Sequence, residues 1–195
     1  MDDGVMLILG KPGSGKSTII SKILRTKCAY GGNFDFYIVV SPSGIPDCNL
    51  NEEYTCDSLN MGWIMERLSS IAELIPTLKQ ERTIRIMIVF DDVVGELKKL
   101  TSSPLFSKLI FNRRHMVKGA SISLIITSQK FTTVPPMVRT SVTHLILMNT
   151  SYKDVDDLRG ELLATGRREF ADLFTEYILN AGTSNPHLFI RMIPL

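Results

Sequence analysis

The sequence predicts one α/β domain, residues 1–195, built on a mostly parallel sheet flanked by helices. Short apolar runs with the length of buried strands alternate along the chain with segments whose apolar residues recur at helical spacing. The runs are apolar at consecutive positions, which is typical of parallel strands covered on both faces. A hydrophobic fraction of 44% and a charged fraction of 22% are those of a globular chain.

The first half of the chain supplies two strands, each followed by a helix. Val5–Leu9 is predicted to be a buried strand that ends in a glycine-rich turn, and Ser17–Leu24 follows as a helix with an apolar inner face. Phe36–Val40 is the second predicted strand, stopped by a Ser-Pro-Ser-Gly sequence. Ser58–Lys79 is the second predicted helix, because its apolar residues keep helical spacing up to a proline near its end.

The second half continues the alternation. An apolar strand is predicted at Ile84–Phe90, where two aspartates end it, and a helix at Pro104–Met116, where Lys-Gly follows. The remaining predicted strands are Ser121–Thr127, His144–Met148 and His187–Ile193, and the remaining predicted helices are Asp154–Leu163 and Glu169–Leu179, on either side of a Gly-Arg-Arg turn.

Composition excludes some classes of protein and leaves others open. No run of about 18 apolar residues occurs, so no membrane span is expected. The start lacks the basic segment of a signal peptide, and the 3 cysteines form no CxxC pair, which predicts free thiols in a reducing compartment. A net charge of +2 neither predicts nor excludes a nucleic-acid partner.

The strongest motif is the segment Gly10–Ser17, which matches GxxxxGK[ST] in full. Glycines in this pattern let the backbone curl so that successive N–H groups point into one concavity, and the following helix adds its positive end. The pattern predicts an ATP site in which Lys16 reaches the β- and γ-phosphates and the Ser17 hydroxyl holds Mg²⁺. The predicted nucleotide-binding residues are Gly10, Gly13, Ser14, Gly15, Lys16, Ser17 and Thr18.

An acidic pair follows the apolar strand at Ile84–Phe90. Asp91, at the tip of the strand, is predicted to hold Mg²⁺, and Asp92 to orient or deprotonate the attacking water. The alternative is a strand that simply ends in turn-forming aspartates. The pair beside a complete phosphate loop favours the catalytic interpretation.

A polar residue also follows the strand Ser121–Thr127. If this strand lies between the phosphate-loop strand and the Asp91 strand, Gln129 is next to the γ-phosphate and can sense hydrolysis. That arrangement is typical of motor-type ATPases rather than small-molecule kinases, although an ordinary polar strand end is the simpler interpretation of Gln129 alone.

Basic residues are clustered at Arg113-Arg114-His115 and occur again at Arg139. Each arginine is a candidate either for contacting a nucleotide, its own or a neighbouring subunit's, or for offsetting a helix dipole or facing solvent. Lys98-Lys99, expected in the loop after Asp92, and Arg167-Arg168 are interpreted as solvated surface, with phosphate contacts as the alternative.

Together these segments resemble the FtsK–HerA superfamily, and within it the DNA-packaging ATPases of poxvirus-type large DNA viruses and their virophages. The resemblance extends from Met6 to Leu147 and rests on four segments in order: GKPGSGKS, the strand with Asp91-Asp92, Asn112–His115, and Ser128-Gln129 with the sequence up to Arg139. It identifies the predicted fold as that of an ASCE-type P-loop NTPase. The acidic pair departs from the family pattern, because it is Asp-Asp and not Asp-Glu.

The resemblance implies a ring, pentameric or hexameric, that drives double-stranded DNA into a preformed capsid and contacts capsid or portal vertex proteins. It gives Lys16, Asp92, Gln129, Arg114 and Arg139 catalytic roles, with one arginine acting in trans, and it gives Asp91 and Ser17 the metal. It places the protein in the host cytoplasm or viral factory, and in association with virions.

Three other functions are compatible with the motifs. A cellular DNA pump of the FtsK–HerA type shares the chemistry but usually carries added domains. A nucleotide or small-molecule kinase would need a phosphate acceptor and would not respond to DNA. A nucleotide switch is disfavoured, because the chain lacks an Asn-Lys-x-Asp sequence for guanine.

Overall fold

A computed structural model of the chain describes residues 3–25, 34–46, 48, 50–78, 82–164, 174 and 187–191. Its strands are β1 (Val5–Gly10), β2 (Phe36–Val40), β3 (Thr55–Cys56), β4 (Ile84–Phe90), β5 (Ala120–Ser128), β6 (His144–Met148) and β7 (His187–Arg191). Its α-helices are α1 (Lys16–Arg25), α2 (Met61–Leu74), α3 (Val94–Lys99), α4 (Pro104–Phe111), α5 (Pro136–Ser141) and α6 (Tyr152–Ala164). None of the helices in these ranges is long and apolar enough to cross a membrane.

The strands form one sheet in the order β3-β2-β4-β5-β1-β6-β7. All neighbouring strands are parallel except β6 and β7, which pair antiparallel. Strand β5 therefore lies between β1, which precedes the phosphate loop, and β4, which precedes the acidic pair. The carboxyl ends of these three parallel strands meet at one edge of the sheet, where α/β proteins bind ligands.

The core has one apolar layer on each face of the sheet, because successive residues of a strand point to opposite faces. Val5, Leu7 and Leu9 of β1 belong to a layer that packs against α2, α3, α4, α5 and α6. Met6 and Ile8 belong to the other layer, which packs against α1. Burial on both faces explains why β1 has no polar side chain at any position.

The predicted α/β fold is confirmed, and three of the predicted strands, β2, β4 and β6, have the predicted bounds. The helix predicted at Ser58–Lys79 is shorter: it begins after Asn60, whose side chain accepts from the Trp63 N–H, and ends at Leu74. The helix predicted at Pro104–Met116 ends at Phe111, and a 3₁₀ turn follows at Arg113–His115.

Three short elements were not predicted: β3, α3 and α5. Lys98 and Lys99 lie in the last turn of α3, so their assignment to a loop was wrong. The helix at Glu169–Leu179 and the turn at Arg167-Arg168 lie outside the described residues, apart from Phe174.

Candidate nucleotide site

The phosphate loop joins β1 to α1 and makes close backbone contacts. Gly13 and Gly15 adopt positive φ angles of 74° and 92°, which side chains disfavour. A Cβ atom on Gly10 would lie 2.3 Å from the Met148 carbonyl oxygen and 2.4 Å from Ser14 Oγ. Glycine at these positions therefore allows the loop to curl against the end of β6. The Ser14 hydroxyl is buried without a hydrogen-bond partner among the described residues.

Lys16 points back into the curl of this loop. Its ammonium donates to the carbonyl oxygens of Gly10, at 2.8 Å, and Lys11, at 3.0 Å, and the residue is only 9% exposed. Burial lowers the pKa of Lys16, and the negative charges of Asp92 and Asp91 act in the opposite direction. The loop thus holds a positive charge at its centre, close to the two carboxylates.

Asp91 lies just beyond the end of β4 and is 1% exposed. Its Oδ2 accepts from Ser17 Oγ at 3.0 Å and from Ser41 Oγ at 3.4 Å, and its Oδ1 accepts from Thr127 Oγ1 at 2.7 Å. A serine hydroxyl beside a carboxylate at the mouth of a phosphate loop supplies the oxygen ligands that Mg²⁺ prefers. Within the described ranges, no three His, Cys, Asp or Glu side chains cluster as a metal site.

Asp92 is exposed and faces the end of β5. Its backbone lies in the left-handed region, with φ of 58°, and its N–H donates to Thr127 Oγ1 at 3.0 Å. Gln129 Nε2 donates to Asp92 Oδ1 at 3.3 Å. The structure therefore brings Lys16, Ser17, Asp91, Asp92 and Gln129 to one edge of the sheet.

Arg113 and Arg114 lie near the opposite, amino-terminal edge of the sheet. Arg113 is buried, which lowers the pKa of its guanidinium, and it donates to the carbonyl oxygens of Asp3 and Ile110. The Arg114 side chain is 67% exposed and pairs with Asp3 at 3.5 Å. Asp3 precedes β1, whose other end leads into the phosphate loop, so Arg114 is separated from the nucleotide site of its own chain by the length of the strand.

Arg139, on α5, has its own partners away from the loop. Its Nη1 lies 2.8 Å from Glu161 Oε2, and its guanidinium stacks over the Phe131 ring at 5.0 Å. The side chain is 21% exposed. The structure does not bring Arg139 together with the phosphate loop, and its contacts join α5 to α6.

A family model described as "Poxvirus A32 protein" matches residues 2–175. The chain belongs to the poxvirus A32 protein family. The resemblance to packaging ATPases of poxvirus-type viruses is thereby confirmed. No curated protein sequence matches the chain.

Solved structures share the fold of the A32 family member. The genome packaging NTPase B204 of Sulfolobus turreted icosahedral virus 2, in complex with AMPPCP, aligns with a TM-score of 0.58 and 15% identity over 98% of this chain and 99% of that chain. The same protein with ATP-γ-S aligns at 0.55 and 14% over 97% and 92%. The DNA-packaging ATPase B204 of Sulfolobus turreted icosahedral virus aligns at 0.56 and 14% over 98% and 93%.

Two polar residues of the A32 family member's site were missed from the sequence. Thr127, near the end of β5, and Ser41, directly after β2, both donate to Asp91 from the two strands that flank β4. Thr127 had a signal: it is a hydroxyl residue at the end of an apolar run, two residues before Gln129. Ser41 had none, because it belongs to a Ser-Pro-Ser-Gly sequence that is typical of an ordinary turn.

Proposed function

We propose that this A32 family member is an ATPase that moves double-stranded DNA into a preformed capsid, working as a ring of identical subunits. The observation that carries the proposal is the convergence of Lys16, Ser17, Asp91, Asp92 and Gln129 at one sheet edge, with β5 inserted between β1 and β4. The described function of B204, a protein of the same fold, supports the same conclusion.

ATP binds in the curl of Gly10–Ser17. The loop N–H groups and the start of α1 face the phosphates, and Lys16 exchanges its contacts with the Gly10 and Lys11 carbonyls for the β- and γ-phosphates. Ser17 and Asp91 hold Mg²⁺, which when bound neutralises charge on the phosphates. Gly13, Ser14, Gly15 and Thr18 complete the set of nucleotide-binding residues.

Hydrolysis uses the two residues that face each other beside this pocket. Asp92 orients the attacking water and accepts its proton, because its exposed carboxylate is not committed to the metal. Gln129, which donates to that carboxylate, contacts the same water or the γ-phosphate and changes partner when the phosphate leaves. An aspartate here is shorter than a glutamate, and the left-handed backbone of Asp92 turns its side chain toward Gln129.

Of the two arginines, Arg114 is the better candidate for action in trans. It is mostly exposed, its ion pair with Asp3 is long, and the ring requires contact between different surfaces of neighbouring subunits. Arg139 would have to give up a 2.8 Å ion pair and a stacking contact to reach a neighbour's nucleotide. We therefore assign the catalytic role in trans to Arg114 and a structural role to Arg139.

Mixed rings test this assignment. Arg114→Ala is expected to reduce ATP turnover ~1000-fold, the lower end for loss of such an arginine. Mixing it with inactive Lys16→Ala should restore turnover, because a Lys16→Ala subunit still supplies Arg114 to an intact site. The measurement is steady-state ATPase activity across mixing ratios. Lys118→Ala, which removes an exposed cation at the same edge, is the matched control.

Arg139→Ala is expected instead to lower the melting temperature and to leave turnover per folded subunit within a few-fold of the parent. If mixing with Lys16→Ala restored ATP turnover to an inactive Arg139→Ala variant but not to Arg114→Ala, the roles of the two arginines would be reversed.

The ring is a pentamer or hexamer, and capsid or portal vertex proteins are its further partners. It acts in the host cytoplasm or viral factory, and also in association with virions. These assignments follow from the packaging role and not from any contact in the described structure.

The function itself is tested by steady-state ATP hydrolysis with and without long double-stranded DNA. We expect DNA to stimulate turnover, and the stimulation to rise with protein concentration as rings assemble. Addition of NaCl should remove most of the stimulation, because phosphate contacts release counterions. If the rate of ATP turnover does not change with DNA and the protein transfers phosphate to a small acceptor, the proposal is contradicted and the protein is a kinase.

A further inference from the structure

The two aspartates of the candidate site are joined through one hydroxyl group. Thr127 Oγ1 donates to Asp91 Oδ1 at 2.7 Å and accepts from the Asp92 N–H at 3.0 Å. A hydroxyl has one proton and two lone pairs, so both bonds can exist at once. The side chain of Thr127 is 0% exposed, so water does not compete for these bonds.

The sheet register explains why Thr127 is at this point. Strands β4 and β5 pair Phe90 with Ile126, so Asp91 and Thr127 occupy the next positions along the two strands. Strand β1 pairs Ile8 with Thr127 on the other side. Thr127 is therefore held on both sides by the sheet, on the central strand that separates the phosphate loop from the acidic pair.

The two bonds act on different parts of the acidic pair. The bond to Oδ1 fixes the rotation of the Asp91 side chain, which leaves Oδ2 directed at Ser17. The bond from the Asp92 N–H holds the peptide between the aspartates while Asp92 adopts φ of 58°, a conformation that non-glycine residues rarely take. In this conformation the Asp92 carboxylate meets Gln129.

We infer that Thr127 is a positioning residue that sets the metal-binding carboxylate of Asp91 and the water-activating carboxylate of Asp92 in one fixed relation. The inference rests on the proposed ATPase function. Thr127 is fully buried behind the two aspartates. It acts through the two aspartates, as residues behind a metal ligand do when they fix the ligand's orientation.

The chain offers a conservative set of variants. Thr127→Val has nearly the same shape and removes both hydrogen bonds, whereas Thr127→Ser keeps the hydroxyl and loses only a methyl group. Ser123→Ala is the matched control, because Ser123 is a fully buried residue on the same strand and the same side of the sheet. Its replacement removes a buried β5 hydroxyl four residues along the strand from Thr127.

Two measurements are needed. Electron paramagnetic resonance titration with Mn²⁺, in the presence of a non-hydrolysable ATP analogue, reports Asp91 without requiring turnover. ATPase activity at saturating Mg²⁺, with kcat and the KM for ATP, reports Asp92. Thr127→Val is expected to weaken Mn²⁺ binding ~10-fold and to lower kcat ~10- to 100-fold, the usual range for second-layer partners of metal ligands. The KM for ATP should change less than threefold.

Recovery of both properties by Thr127→Ser, to within threefold of the parent, would support the inference. It is overturned if Thr127→Val keeps both properties, if Thr127→Ser fails like Thr127→Val, or if Ser123→Ala loses them to the same extent. The two proposals fail separately. Suppose that the parent protein binds Mn²⁺ with the analogue, that Thr127→Val binds it more weakly, and that neither hydrolyses ATP. This result would contradict the ATPase proposal but would still support the positioning of Asp91 by Thr127.

Discussion

Replacement of Lys16 by alanine is expected to reduce ATP turnover at least ~100- to 1000-fold, the loss seen when one preorganised donor to a developing charge is removed. The Lys16 ammonium is buried in the loop, where it donates to two backbone carbonyls and interacts with the charges of two carboxylates. Without it, the β- and γ-phosphates would meet the carbonyl oxygens of Gly10 and Lys11 and the charges of Asp91 and Asp92. Binding of ATP should therefore weaken as well as turnover.

The Lys16 experiment combines isothermal titration with ATP-γ-S and steady-state hydrolysis. Lys22→Ala is the matched control, since Lys22 is an exposed lysine on the same helix. Lys16→Arg is a second variant: it keeps the charge, but its planar guanidinium does not fit the space between the Gly10 and Lys11 carbonyls, so it should remain inactive. Normal hydrolysis by either Lys16 variant would mean that ATP is bound elsewhere.

The long apolar runs made much of this fold predictable from sequence. Strands β2, β4 and β6 have the predicted bounds because each is a largely apolar run, apart from Arg85 in β4 and His144 at the start of β6, and each is followed by polar or turn residues. Helices α3 and α5 are 6 residues each, too short for a periodic pattern to be visible. Strand β3 is shorter still, and its residues carry no apolar signal.

The candidate site was predictable where it is local in sequence and unpredictable where it depends on register. The phosphate loop lies within eight consecutive residues, Gly10–Ser17, and so appears as a motif. The contact of Gln129 with Asp92 requires β5 to lie next to β4, and this strand order is not visible in the local sequence. The contact of Ser41 with Asp91 depends on the pairing of β2 with β4, and the local sequence does not predict this contact.

Replacement of Asp92 by asparagine is the second variant with a large expected effect: loss of hydrolysis with binding retained. A general base contributes ~100- to 10,000-fold, and an amide cannot accept the proton of water in its place. Asparagine is the right substitution here, because it tolerates the positive φ of 58° that Asp92 adopts and keeps the backbone N–H that donates to Thr127. We therefore expect kcat to fall ~1000-fold while the affinity for ATP-γ-S and Mn²⁺ stays within threefold.

The Asp91→Asn variant distinguishes the role of the Asp91 carboxylate from that of Asp92. Asp91 is buried and bonded to three hydroxyl groups, so its loss should weaken Mn²⁺ binding in the presence of the analogue and reduce hydrolysis through the metal. Asp156→Asn, which replaces an exposed carboxylate on α6, controls for the change in net charge.

If Asp92→Asn hydrolyses ATP normally, water is activated by another group, and Gln129, the partner of Asp92 in this structure, becomes the residue to replace next. If instead Asp92→Asn weakens Mn²⁺ binding as much as Asp91→Asn does, both carboxylates hold the metal, and the division of roles along the Asp91-Asp92 pair is wrong.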